Sequence, residues 1–374
     1  MLPYGRQSII ESDIEAVVEV LRGDWLTTGP AVRLFEDELA QWTGGVPCVS
    51  VTSGTAALHV AYAAAGVGHG DEVITSPLTF VATAATAVLG GARVAFADVQ
   101  PDTGNIDPDS AAALVTPRTR AITGVDYAGH PADYDELRTL ADRAGAVLVA
   151  DAAHSIGASY KERPVGSVAD LTTFSFFPTK TVTTAEGGAV AAADPAHLER
   201  ATRFRNHGLV RDPAEQRDPG HGGWHQEVHE FGLNYRLPDV LCALGVSQLR
   251  RLERFRARRA ALVARYNTLL ADVPGLTLPA QRAYVTPSWH LYPVRVRDGR
   301  RREVYERMRA AGIGVQVNYI PAYWHPVFED LGYRRGLCPR AEAYYAEELS
   351  LPLFADLTHD EQDRVVETLA GILG

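Results

Sequence analysis

The chain has 374 residues, is 46% hydrophobic by count and carries a formal net charge of -10. That length supports a substantial core and two domains, and the interspersed Arg, Asp and Glu exclude nucleic acid or an anionic membrane as the main partner. Cys48, Cys242 and Cys338 are odd in number and far apart, so they make neither a zinc pattern nor a disulfide framework, and a reducing cytoplasm is expected. The opening residues lack a charged segment followed by a long apolar one, and no stretch reaches transmembrane length.

Residues 11–22 have apolar positions at helical spacing and predict an amphipathic helix stopped at Gly23. WLTTGP is a turn, and residues 31–42 read as a second helix. Alternation then begins. Strands are predicted over 48–52, 72–75, 93–97, 120–125 and 146–150, with helices over 56–65, 79–89, 108–115 and 133–143. This pattern implies a mostly parallel sheet covered on both faces, with right-handed crossovers. Ligands of such sheets sit at the carboxyl ends of the strands. Gly54, Asp151 and Lys180 all follow predicted strand ends, so they can converge although distant in sequence.

The next stretch, LTTFSFFPTKTVTTAEGGAV, organises the rest. Its apolar run from Leu171 is stopped by Pro178, and a second run starts at Ala189 after Glu186-Gly187-Gly188. Only two lysines occur, Lys161 and Lys180. Lys161 reads as a surface charge. Lys180 sits between two core strands, where desolvation would depress its pKa, as Schiff-base chemistry requires. Lys180 is therefore expected to hold pyridoxal 5'-phosphate (PLP).

Residues 207–231 are polar, rich in Gly, His and Asp, and predict a long loop. Residues 239–270 predict one long helix or two joined ones. The arginines at 250, 251, 254, 258 and 259, with Glu253 interleaved, read as a solvated face. A strand over 291–296, a helix over 301–311, a short strand over 314–317 and helices near 339–349 and 359–373 follow. They predict a smaller α+β domain over 246–374, after a large domain over 1–245.

PLP needs a lysine, an anion for its ring nitrogen, donors for its phosphate and a flat surface against its ring. Asp151 closes an apolar strand, where a carboxylate is costly unless paired or functional; a helix cap or turn aspartate is the equal alternative. His154 can reach a ring hydroxyl or be structural. Ser53-Gly54-Thr55 opens a helix after a strand, which suits a phosphate but is common to many such turns. Ser175 can add a hydroxyl. Phe80 can cover the ring face or be ordinary core. No GxGxxG or GxxxxGK[ST] is present, which opposes a NAD-linked oxidoreductase or a P-loop nucleotide site.

These residues bring a resemblance with them. The whole chain resembles the DegT/StrS-type nucleotide-sugar aminotransferases, within the aspartate-aminotransferase α/β fold (PLP fold type I). The matching stretches include LTTGPAVRLFEDELAQWTG, SVTSGTAALHVA, SPLTFVATA, VLVADAAHSIGASY, VGSVADLTTFSFFPTKTVTTAEGGAV, RFRNHG and GLNYRLPDVLCALGVSQLRRL. The resemblance implies Lys180 as the Schiff-base lysine, Asp151 at the pyridine nitrogen, His154 at the ring hydroxyl and Phe80 on the ring. It implies Ser53, Gly54, Thr55 and Ser175 at the phosphate. Asn234 falls where the family supplies a phosphate contact from the partner subunit, which implies a homodimer with shared sites.

Within the family the chain is most similar to the pseudaminic-acid type, through VDYAG, TVTTAEGGAV, SWHLYPV and LSLPLF. That implies amination at C4 of a UDP-linked 4-keto-6-deoxy-N-acetylhexosamine with L-glutamate as donor. Substrate contacts are then expected at Thr28, Arg205, Arg236, Asn318 and Tyr319. Asn318 departs from the pattern, standing where many relatives carry histidine. Another keto nucleotide sugar, a keto-cyclitol, or a non-catalytic PLP- or sugar-binding regulator remain alternatives. Sugar dehydratases of this kind replace the lysine by histidine, which Lys180 opposes.

Overall fold

The computed structural model describes residues 1–374. Seven strands form the central sheet: β1 (Cys48–Val51), β2 (Glu72–Thr75), β3 (Arg93–Phe96), β4 (Thr119–Val125), β5 (Val147–Asp151), β6 (Leu171–Ser175) and β7 (Gly188–Ala192). Their spatial order is β1-β7-β6-β5-β4-β2-β3. β2 to β6 run parallel, whereas β7 is antiparallel to both β6 and β1. The sheet is thus mostly parallel, as the alternation predicts. Its central strands β4, β5 and β6 are buried along most of their length, with only Arg120, Val147 and Ser175 near their ends reaching solvent, as helices on both faces require.

Register explains convergence. Gly188 of β7 pairs with Val51 of β1 on one side and Ser175 of β6 on the other. Asp151 of β5 pairs with Thr173 of β6. β1, β5 and β6 therefore end along one edge of the sheet. The turn after β1 and the turn after β6 both start there.

Among the helices that frame this half are α1 (Glu11–Arg22), α2 (Pro30–Trp42), α3 (Gly54–Ala64) and α4 (Ala82–Leu89). α4 starts three residues later than the pattern predicts, leaving Thr79 and Phe80 ahead of it. In α1 the single buried residue is Asp13, at 1% exposure, while Ile14 and Leu21 stay exposed. Asp13 accepts hydrogen bonds from the Arg251 guanidinium, from Gln248 Nε2 at 3.1 Å and from the Ile10 N–H at 2.9 Å. The apolar side of α1 is partly open: Ala16, Val17 and Val20 are half-buried, whereas Ile14 and Leu21 face solvent.

The predicted 239–270 helix is two helices, α5 (Asp239–Leu249) and α6 (Leu252–Leu269). The solvated arginine face is corrected here. Arg251 is held by Asp13, and Arg259 is 2% exposed. Arg259 has no carboxylate partner and donates to the carbonyls of Leu353 at 3.0 Å and His290 at 3.3 Å. Burial lowers its pKa to about 10.

The smaller unit carries β8 (Leu276–Thr277), β9 (Tyr292–Val296) and β10 (Glu348–Leu351) as an antiparallel sheet in that order. Helices α7 (Arg301–Ala310), α8 (Pro339–Glu347) and α9 (His359–Leu373) accompany it. Two expectations fail. Residues 314–317 form no strand, only an isolated bridge from Gln316 to Ser350. The helix expected to reach 349 stops at Glu347, and the chain turns at once into β10, because Leu349 and Leu351 belong to the sheet core. Leu2 joins this same core: its N–H donates to Gly312 O at 2.9 Å and its carbonyl accepts from Gly314 N–H at 2.7 Å. The 207–231 segment is mainly loop, with one pairing of Leu209–Val210 against Glu227–Val228.

Candidate active site

A cavity of about 460 Å³ opens at the sheet edge where β1, β5 and β6 end. Its walls include Ser53, Gly54, Thr55, Phe80, Asp151, His154, Ser175, Lys180, Asn318 and Tyr319. The structure thus gathers all the expected cofactor residues but Asn234. Thr28, Arg205 and Arg236 are not brought there; they line a second cavity of about 640 Å³ between α2 and the turn at 205–211. Arg205 is occupied by Glu36 at 2.5 Å and the Ser50 carbonyl at 2.7 Å, and Arg236 by Asn206 at 2.6 Å. Asn234 is exposed and lines neither cavity.

Lys180 lies in the turn between β6 and β7, its N–H bonded to Phe177 O at 2.9 Å. Burial pulls its ammonium from 10.5 down to about 8, with the charge of Asp151 opposing the fall. Asp151, 5% exposed, ends β5. Thr83 Oγ1 donates to its Oδ2 at 2.6 Å and Ala153 N–H to its Oδ1 at 3.2 Å. Burial raises its pKa, and these donors together with Lys180 work against that rise. It is not a helix cap.

Ser53 caps α3, its Oγ accepting from Ala56 N–H at 3.0 Å. The N–H groups of Gly54 and Thr55, in the first turn of α3, have no intrahelical acceptor. A Cβ on Gly54 would fall 2.7 Å from Ser175 Cβ, so only glycine lets the helix start against β6. Phe80 is 60% exposed, which rules out the core alternative, and meets Tyr319 edge-on at 6.3 Å. His154 Nε2 bonds Tyr319 Oη at 3.1 Å, while its Nδ1 is buried without a partner. Burial lowers its pKa well below 6.5, with Lys180 adding to the fall, so the ring is neutral. Asn318 is clamped: its N–H donates to Glu348 at 2.6 Å, its carbonyl accepts from Tyr127 Oη at 2.5 Å and its amide donates to Ser350 at 3.0 Å.

Sequence reasoning missed several wall residues. Thr83 is recoverable in hindsight, one helical turn after Thr79 in SPLTFVATA, and the two hydroxyls bond at 2.6 Å. Tyr4, His290 and Gln316 arrive from distant segments and carry no local signal. His290 packs its ring 4.4 Å from that of His154.

These residues fit PLP on their own chemistry. A glycine cradle with free N–H groups and hydroxyls suits a phosphate, a buried carboxylate suits a protonated ring nitrogen, and a partnerless imidazole nitrogen suits a ring oxygen. A lysine amine held near neutrality beside them defines the class: an amine-transfer site on a fold type I scaffold.

Comparison with known proteins agrees. Residues 7–370 match the DegT/DnrJ/EryC1/StrS aminotransferase family. The spore coat polysaccharide biosynthesis protein SpsC of Bacillus subtilis is 38% identical, over 100% of this chain and 97% of that one. A putative sugar aminotransferase from Streptococcus pneumoniae in its PMP form is 31% identical, with a TM-score of 0.93, covering 100% of this chain and 99% of that one. Its PLP form superposes with the same TM-score at 30% identity, covering 99% of this chain and 98% of that one. Helicobacter pylori PseC, an aminotransferase involved in the biosynthesis of pseudoaminic acid, is 30% identical with a TM-score of 0.92, covering 100% and 99%. The chain belongs to the DegT/DnrJ/EryC1/StrS aminotransferase family. It is a PLP-dependent sugar aminotransferase. No helix is long and apolar enough to cross a membrane.

Proposed function

We propose that the protein transfers the amino group of L-glutamate to a keto nucleotide sugar, at C4 of a UDP-4-keto-6-deoxy-N-acetylhexosamine. The observation that carries the amino-transfer part is the pairing in one cavity of Lys180, depressed to about 8, with the buried Asp151. The likeness to PseC supports the sugar.

Lys180 would hold the cofactor covalently, Asp151 its ring nitrogen, His154 its ring hydroxyl and Phe80 its exposed face. Gly54 and Thr55 N–H groups with the Ser53 and Ser175 hydroxyls would hold its phosphate. Bound PLP supplies a carbonyl for an amine and a ring that disperses negative charge. Lys180 Nζ, free of its proton for part of the time at neutral pH, takes the α-proton of L-glutamate and later returns a proton to the former ketone carbon. The Asp151 carboxylate, whose charge Thr83, Ala153 and Lys180 support against burial, would keep a proton on the ring nitrogen. Glutamate and ketone become 2-oxoglutarate and amine.

The active unit is a homodimer. Lys180 is the sole lysine or arginine in the cavity wall, yet two carboxylates and a diphosphate require further cations. A second copy can bring Arg236 and Asn234 to it. The exposed apolar residues of α1, Ile14 at 48% and Leu21 at 57%, fit this, as do Trp25 at 57% and Leu26 at 52% in the turn that follows it and Phe231 at 97%. Cys48, Cys242 and Cys338, all buried and unpaired, fit the cytoplasm.

The test is product mass spectrometry with PLP and glutamate against 4-keto and 3-keto nucleotide sugars and a keto-cyclitol. A keto-to-amine mass change confined to the UDP-4-keto-N-acetylhexosamine is expected. Conversion of another ketone instead refutes the substrate, and no 2-oxoglutarate with any acceptor refutes the catalytic reading.

A further inference from the structure

Most charged or titratable groups of the cavity wall have an evident task or partner. Glu186 has none. It lines the cavity and is exposed, and its side chain makes no hydrogen bond or ion pair within the chain. Its backbone is the reverse. Thr184 Oγ1 donates to the Glu186 carbonyl at 2.7 Å. Ala185, just before it, is held at φ +68° with its N–H bonded to Thr183 Oγ1 at 2.9 Å, a left-handed conformation that a non-glycine residue adopts at a cost. Thr183 Oγ1 in turn donates to Phe176 O at 3.0 Å, and Phe176 N–H donates to Gly187 O at 2.8 Å. A Cβ on Gly187 would lie 2.1 Å from Thr184 Oγ1, so this turn closes only with glycine there. A strained, many-times-bonded turn therefore presents one partnerless carboxylate to the cavity that holds Lys180.

We propose that Glu186 is a specificity-determining residue that accepts hydrogen bonds from hydroxyl or N–H groups of a neutral sugar ring in the acceptor half of the reaction. This rests on the keto-sugar reading above and deepens it. An ionised carboxylate offers only acceptor sites. L-glutamate brings two carboxylates, which Glu186 repels, and its one ammonium must face Lys180. The ring of that keto sugar brings one O–H donor, at C3, and one acetamido N–H donor, and no charge of its own. The same carboxylate thus favours the acceptor ring and disfavours a second dicarboxylate in its place.

The two halves can be measured apart. The donor half is followed in single turnovers of the PLP-loaded protein with L-glutamate, by loss of cofactor visible absorbance and by 2-oxoglutarate. The acceptor half uses the PMP-loaded protein with UDP-4-keto-6-deoxy-N-acetylhexosamine, read by product mass. Glu186→Gln should lower kcat/KM of the acceptor half about 10- to 100-fold, the scale of a lost hydrogen bond to a charged group. The donor half should not slow in parallel, and its KM for glutamate should fall as repulsion is removed. A purely structural role would slow both halves together, and that result, or an unchanged acceptor half, overturns the assignment. Failure of the keto-sugar reading itself shows separately, as a wild-type protein that forms 2-oxoglutarate but aminates no sugar.

Discussion

With two lysines in the chain, the chemistry of one amine can be read against the other in the same tube. Lys180 is held near 8 by burial. Lys161 is exposed, and its bond to Asp135 Oδ2 at 2.8 Å holds its ammonium above the usual 10.5. At pH 7.5 an amine of pKa about 8 is ~24% neutral, whereas one at 10.5 is ~0.1% neutral, since each pH unit is a factor of ten. Ionisation alone therefore favours Lys180 by roughly 200-fold, before the cavity adds anything. Apoprotein mixed with PLP at pH 7.5 and reduced with borohydride should carry the cofactor on the Lys180 peptide and almost none on that of Lys161. The initial rate should rise about tenfold per unit up to pH 7 and level off above 8, because only the neutral amine adds to a carbonyl and its fraction saturates once pH passes the pKa. Comparable labelling of both peptides, or a rate still climbing tenfold per unit between pH 9 and 10, would refute the claim that burial tunes this amine.

Asp151→Asn keeps an oxygen for Thr83 but removes the charge that holds up the Lys180 pKa, so the levelling-off in that profile should move to lower pH; an upward move contradicts the electrostatics. Gly54→Ala sets a methyl 2.7 Å from Ser175 Cβ and should cost about 1–3 kcal/mol of local packing, weakening PLP binding about tenfold or more in absorbance titrations. Adding Ser175→Gly to that variant should recover part of the loss; strict additivity would argue against direct conflict. Asp13→Ala leaves the largely buried Arg251 without its carboxylate and should lower stability by about 3 kcal/mol in urea unfolding. A loss under about 1 kcal/mol would show that Arg251 finds water instead.

The large sheet was legible because each of its strands is short, apolar and punctuated by turn residues. β2 and α9 fall on their predicted residues, and other ends differ by a few positions at most. The heart of the cavity was legible for a related reason. Lysine between two core strands and aspartate at the end of another are expensive placements, so they announce themselves. Arg259 escaped this logic. Its neighbours in RARRAAL look like any charged helix face, and only the arrival of the Leu353 and His290 carbonyls shows that it is interior. β10 was hidden because Glu348 and Ser350, its polar positions, are buried and satisfy each other at 2.5 Å, a tertiary solution with no sequence period. The partly open side of α1 reads from sequence as a buried one, since periodicity tells that a helix has an apolar face but not which molecule covers it.

The seating of Leu2 against Gly312 and Gly314 bears on how the polypeptide is made. Tyr4, in the cavity wall, also gives its carbonyl to Leu353 N–H at 3.0 Å. Leu2 and Tyr4 therefore wait for partners translated about 310 residues later, some 15–60 s at ordinary elongation rates. The sheet can fold during that interval, but one wall of the cavity cannot close until Gly312, Gly314 and Leu353 have emerged. The nascent chain should thus acquire its compact core well before it acquires cofactor affinity. Stalled chains ending before residue 312 should resist protease across the sheet and still bind PLP poorly.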